Sequence, residues 1–244
     1  MSFFNFDNKS NYIDRLTSLP NKNYYIDNLY QTALKMVNDI KKDIVWTVMF
    51  CDIDGLKLVN DLHGHTEGDI IIKKMADIIK DCIIINRGLS DGPVDGVKQK
   101  DNINEVIHLG GDEFVIILSK CNKTDAKLIK DCIYNKVNED NNLLGATLSI
   151  GISDTMDIPL KDDIDVGNSK SVLTYIREII HLADRNMYKD KNDLNFMTKD
   201  ELLHHRLKCI NRMGNQIGFD FTSDEAYLIL RSIEDIELKR NRMN

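Results

Sequence analysis

His108-Leu109-Gly110-Gly111-Asp112-Glu113-Phe114, followed at once by Val115-Ile116-Ile117-Leu118, is the stretch on which the reading of this chain turns. An apolar run (Val106, Ile107) leads in and a stronger one leads out, which reads as strand, tight turn, strand. The glycines permit positive φ and a close backbone approach to a ligand. Adjacent carboxylates at such a tip repel each other unless a cation, or a ligand carrying one, lies between them. The same residue types also suit an ordinary solvated turn.

A second acidic constellation lies upstream. Val45 to Cys51 is a nearly continuous apolar run, the mark of a buried central strand. It ends in Asp52-Ile53-Asp54-Gly55-Leu56-Lys57, then Asn60-Asp61, Gly64-His65 and Gly68-Asp69. Carboxylates at the exit of a buried strand suit hard, oxygen-ligated metals such as Mg²⁺. Lys57 close behind them suits a metal-bound triphosphate. The order and spacing of these motifs, with the Gly-Gly-Asp-Glu-Phe hairpin, resembles the GGDEF family of diguanylate cyclases.

The resemblance implies roles by position. Asp52, the carbonyl of Ile53 and Asp112 match metal ligands, and Lys57 matches a phosphate contact. Asn60 and Asp69 match the pair that binds the guanine base, where a carboxylate accepts from N–H groups that adenine lacks; Asp69 also suits a helix N-terminus. His65 is a peripheral candidate on the substrate side. Asp112 and Glu113 are candidates for assisting deprotonation of the attacking hydroxyl. Ala183-Asp184-Arg185-Asn186-Met187-Tyr188-Lys189-Asp190-Lys191 resembles the closing motif in which a lysine, here Lys191, reaches the triphosphate. Asp14-Arg15-Leu16-Thr17-Ser18-Leu19-Pro20-Asn21 resembles the opening motif, and Ser149-Ile150-Gly151-Ile152 a core strand with a close-packing glycine.

The chain also departs from the pattern. His108 stands where relatives usually carry arginine, which puts a stabilising contact near the site in doubt. Asn195 stands where a second phosphate-binding arginine is usual. The positions matching the inhibitory Arg-x-x-Asp read Asp101-Asn102-Ile103-Asn104, so product feedback through that clamp is not expected. Gly88, Gly92, Pro93 and Gly96 make 86–102 a long loop.

Composition bounds the rest. A chain of 244 residues, 42% hydrophobic, suffices for one packed domain with an appendage. Of its charged residues, 24 of 32 basic and 31 of 39 acidic ones lie in 1–196, so the whole net charge of −7 belongs to that part. An acidic body without a basic stripe argues against a nucleic-acid partner. Five scattered cysteines read as reduced, structural residues of a cytoplasmic protein. His204-His205 with Cys209 is a weak zinc candidate. No apolar run approaches the ~20 residues of a membrane span, and no signal-peptide pattern opens the chain.

Helical spacing predicts helices over 24–39, 56–62, from about 69 to 83, over 124–137 with Thr124 as N-cap, and over 172–188. This order predicts an α+β fold, a palm-type nucleotide-cyclase core with a mostly antiparallel sheet. The expected organisation is a leader over 1–13, the domain over 14–196 and a two-helix extension over 197–244. Thr198-Lys199-Asp200-Glu201 opens the first extension helix, and the second carries an apolar stripe that covers the domain, pairs with a second copy or binds a protein partner.

The activity implied by the resemblance is condensation of two GTP into cyclic di-GMP and two pyrophosphates, with two Mg²⁺ or Mn²⁺ ions per site. Two links between two nucleotides call for two sites face to face, hence a homodimer during catalysis. The alternatives are a silent domain that binds GTP as a receptor or interaction module, a cyclase of other base selectivity, and a structural protein with accidental motifs.

Overall fold

A computed structural model describes residues 11–87, 104–160 and 164–193. The 197–244 extension, Asn195, the 1–10 part of the leader, His204, His205, Cys209 and nearly all of the 86–102 loop lie outside them. The elements run α1 (Lys22–Ile40), β1 (Trp46–Asp54), α2 (Leu56–His63), α3 (His65–Arg87), β2 (Asn104–Gly110), β3 (Glu113–Ser119), α4 (Lys123–Glu139), β4 (Thr147–Asp154) and α5 (Ser169–Asp193). The strands form one antiparallel sheet in the order β2-β3-β1-β4, the expected α+β architecture.

Why β1 reads as continuously apolar is now visible: it is central, and both its faces are covered. Met49, Cys51 and Ile53 point into a core shared with α2, α3 and α4, through Val59, Met75 and Ile129 among others. Trp46, Val48 and Phe50 point into a second core with α1 and α5, through Met36, Ile176 and Ala183. The two-residue period of a strand therefore sends Asp52 and Asp54 out on the α1/α5 side, at the end of the strand. Helix α5 lies close against β4 at Gly151, where a Cβ would come within 2.0 Å of the Ala183 carbonyl oxygen.

Several boundaries differ from the sequence reading. Helix α4 is capped by Asn122, not Thr124; Asn122 accepts from the amides of Thr124 and Asp125 at 2.8 and 3.0 Å, and Asp125 reciprocates. Gly64, at φ +88°, ends α2, and α3 restarts at His65, so Gly68 and Asp69 lie within the helix rather than in a turn before it. Helix α3 takes in Asn86, and α5 extends three residues earlier and five later than its apolar spacing indicated. Amphipathic periodicity marks only the buried part of a helix, and the ends are set by caps and neighbours.

Candidate active site

The site is built where β1 ends beside the β2–β3 turn. Asp52 is the cross-strand partner of Glu113, and the Ile53 amide donates to the Asp112 carbonyl at 3.0 Å. That bond ties the strand end to the hairpin tip. The tip depends on glycine: Gly110 and Gly111 take φ of +125° and +62°, beside a register shift in β2. Three of the expected residues, Asp52, Asp112 and Glu113, thus share one end of the sheet.

Lys191 joins them from the last turn of α5, on the open side of Asp52 and Asp54. Its ammonium hydrogen-bonds Asp52 and lies 3.1 Å from Asp54 Oδ1. Asp54, which the motif reading passed over as a ligand, also accepts from the Ser149 hydroxyl at 2.7 Å. Burial raises the Asp52 carboxyl; the Lys191 bond opposes this, while Asp112 and Asp54 add to it. Glu113 is raised by burial and then by Asp112, Asp52 and Asp184. Burial pulls the Lys191 ammonium down, but its bonds to Asp52 and Asp54 leave it above its ordinary value. Crowded carboxylates, two of them bridged by one ammonium, form a seat for added positive charge.

Among the described residues, no three His, Cys, Asp or Glu side chains assemble into a metal cage. The donors that the motif resemblance names are two carboxylates, Asp52 and Asp112, and the Ile53 carbonyl. Mg²⁺ is commonly held by one or two carboxylates with substrate phosphates and water completing its shell, so this set fits an ion delivered with a triphosphate.

A second group lies around the α2–α3 junction; Gly55, at φ +80°, turns the chain from β1 into α2, and Gly64 separates α2 from α3. Lys57 is exposed on the first turn of α2, and His65 and Asp69 are exposed on α3. Asn60 is half-buried, with its carboxamide seated on Gly68: a Cβ at Gly68 would fall 1.9 Å from Asn60 Oδ1. That oxygen is buried and makes no hydrogen bond among the described residues. A buried acceptor without a donor is costly, and a ligand donor would relieve it.

His108, where relatives usually carry arginine, has well-defined surroundings. The ring is buried, stacks on Phe114 at 4.9 Å, and lies with Nδ1 3.1 Å from Asp14 Oδ1 and Nε2 3.2 Å from the Gly111 carbonyl oxygen. It lies between the opening motif and the hairpin turn, in contact with both. Asp14 in turn accepts from the amide and hydroxyl of Thr17, both at 2.8 Å. Burial raises the Asp14 carboxyl, but these bonds and His108 bring it below its ordinary value.

Comparisons with known proteins converge on one family. Residues 11–87 match the family model described as diguanylate cyclase, GGDEF domain. That range holds Asp52, Lys57, Asn60 and Asp69 and ends before the hairpin. Diguanylate cyclase A of Treponema denticola is 25% identical over 185 residues, 74% of this chain and 42% of that protein. Diguanylate cyclase DgcP of Escherichia coli is 26% identical over 185 residues, 74% of this chain and 44% of its own. The chain spans less than half the length of both. Among solved structures, the GGDEF domain of TpbB from Pseudomonas aeruginosa is similar with a TM-score of 0.51 at 27% identity, covering 74% of this chain and 89% of that one. The GGDEF domain of DgcB from Caulobacter crescentus, solved with c-di-GMP, shares the fold at 20% identity and a TM-score of 0.52, covering 75% and 91%. No described helix is long and apolar enough to cross a membrane. The order of its motifs, the strand-end carboxylates beside the hairpin tip and these relatives together support a GGDEF (diguanylate cyclase) family for this chain.

Proposed function

We infer that this protein is a diguanylate cyclase, joining two GTP molecules into cyclic di-GMP with release of two pyrophosphates. One observation carries the reading: the Ile53–Asp112 backbone bond holds Asp52 beside Asp112 and Glu113, and Lys191 lies over Asp52. Asp52, the Ile53 carbonyl and Asp112 would hold the divalent ions, Mg²⁺ or Mn²⁺, which when bound neutralise charge at the α-phosphate and acidify the ribose 3′-hydroxyl. Asn60 and Asp69 bind guanine, with the unpaired Asn60 oxygen waiting for a donor. Lys57 and Lys191 contact the phosphates and balance the charge that builds on the leaving pyrophosphate. His65 borders the nucleotide. In each link the 3′-oxygen bonds to the α-phosphorus of the other GTP, the bond to the β-phosphate oxygen breaks, and the hydroxyl proton passes to Glu113 or Asp112. Glu113, raised by burial, suits an acceptor of that proton. One site holds one GTP, so two copies meet face to face with two-fold symmetry during catalysis.

The test is incubation of the full chain with GTP and Mg²⁺ or Mn²⁺, with products read by mass spectrometry beside Asp112→Ala. Cyclic di-GMP from the wild type and none from the variant is the expected result. Asn195, in place of a second phosphate-binding arginine, favours a second reading: a GTP receptor without turnover. GTP binding that depends on Asp69, with no product at any metal concentration, would replace the first reading by the second.

A further inference from the structure

We propose that Asp190 is a positioning residue for Lys191, and that its attachment to the open edge of β4 sets where the lysine of the closing segment meets the nucleotide phosphates. The proposal rests on the reading of Lys191 as a phosphate contact and adds a residue to which the motif assigns no task.

Among the described residues, β4 is the last strand of the sheet, so its outer edge presents backbone groups that no described strand satisfies. Side chains satisfy them instead. The Ile150 amide donates to Asp190 Oδ2 at 2.9 Å, and the Ile150 carbonyl accepts from Lys130 Nζ at 2.7 Å. Two residues along the strand, the Ile152 carbonyl accepts from Asn186 Nδ2 at 2.9 Å. Asn186 and Asp190 are four apart and share a face of α5, so the helix is fastened along the strand edge by two side-chain rungs. The Asp190 rung is the stronger. Its other oxygen takes the Lys130 ammonium at 2.6 Å, and the Tyr134 hydroxyl also donates to the carboxylate. Burial, and then the bond to Asp190, raise the Tyr134 hydroxyl well above its ordinary range, which keeps that donor protonated.

The position of this knot matters. The last described turn of helix α5 runs to Asp193. Lys191 lies in that turn, one residue and about 100° of helix rotation from Asp190. With Asp190 fixed on β4, Lys191 projects toward the end of β1, where its ammonium meets Asp52 and Asp54. A lysine stem alone has four rotatable carbons and little preference for one place. Small misplacements of a group that stabilises phosphate charge cost rate steeply.

The experiment uses the full chain with Asp190→Ala, Tyr134→Phe, Lys191→Met and the double variant Asp190→Ala/Lys191→Met. In Asp190→Ala, amide hydrogen exchange over 187–193 is expected to accelerate about tenfold and amine acylation of Lys191 to rise, with exchange over β1 and β3 unchanged. Affinity for Mg²⁺·GTP is expected to fall about tenfold in the wild-type background and no more than about twofold when Lys191 is already methionine. Tyr134→Phe, which leaves α5 intact, is expected to give an intermediate effect if Asp190→Ala does not fold. Equal affinity losses with and without Lys191, or unchanged exchange over 187–193, overturn the proposal. A wild type that neither binds nor converts GTP overturns the functional reading instead, and the exchange and acylation results then still decide the role of Asp190.

Discussion

The strand-end cluster and the α2–α3 junction follow one another along the chain, separated by helix α2, and are built on opposite principles. At the strand end, Asp52, Asp54, Asp112 and Glu113 crowd like charges together, and a backbone bond and the Lys191 ammonium hold the arrangement. At the junction, Asn60 carries no charge, and its place is set by shape, by the absence of a side chain at Gly68. The first region is tuned by electrostatics and answers to cations. The second is tuned by packing and, on the proposed function, answers to the form of a base. Chemistry that moves charge needs the former, and discrimination between similar neutral rings needs the latter.

The contrast can be broken from either side. The largest effect is expected for Asp112→Ala: cyclic di-GMP formation falls by at least about 10²-fold while GTP affinity changes far less, measured by product chromatography beside equilibrium binding. Comparable losses in both would mean that the two regions do not divide the work. Next comes Gly68→Ala. The added methyl displaces the Asn60 carboxamide, which is mobile enough to yield, so the fold survives while GTP affinity drops about tenfold and selectivity over ATP narrows. In an Asn60→Ala background the same change should leave binding alone and raise the melting temperature, because alanine favours the helix over glycine by about 1 kcal/mol. Additive losses of affinity would remove Gly68 from the recognition argument.

A smaller effect concerns Lys191 without nucleotide. Lys191→Met leaves Asp52 and Asp54 without their cation, so the variant melts lower than the wild type in EDTA, and millimolar Mg²⁺ raises its melting temperature more than it raises that of the wild type. Identical Mg²⁺ responses would show that the ammonium and the ion do not use the same carboxylates. The smallest effect is that of pH on Glu113. Its carboxyl titrates higher in the folded protein than in the unfolded chain, so its charged form opposes folding once pH has risen past the folded value, and not below the unfolded one. Glu113→Gln should therefore raise the melting temperature slightly at pH 7, by about 1 °C or less because the side chain is exposed and screened by water, and leave it unchanged where the carboxyl is protonated in both the folded and the unfolded chain. A gain that persists in acid would point to packing rather than charge.

How much of this was legible in the residues varies with distance along the chain. The β1 run, the glycine turn and the helix patterns are local, and the α+β order followed from them. Asp52, Asp112 and Glu113 were marked by motif, and the cross-strand pairing of Asp52 with Glu113 brought them together. Asp54 was overlooked although strand alternation already placed it on the same face as Asp52, two positions on; that signal was available. Gly68 had no signal of its own, since a glycine in a helix reads only as a weak point until the Asn60 side chain is seen resting on it.

By itself, then, the sequence determined the local choices: which runs form strands and helices, where the chain must turn on glycine, and which acidic and basic residue types the site would contain. These follow from periodicity, backbone sterics and side-chain chemistry, all short in range. Only the tertiary structure decided that Lys191 rests on carboxylates at Asp52 and Asp54, that His108 lies between Asp14 and the hairpin turn, and that Asp190 closes the edge of β4. Each of these joins residues from separate elements. No repeat in the chain encodes such pairings, because they exist only after the two cores have packed and set the helices against the sheet.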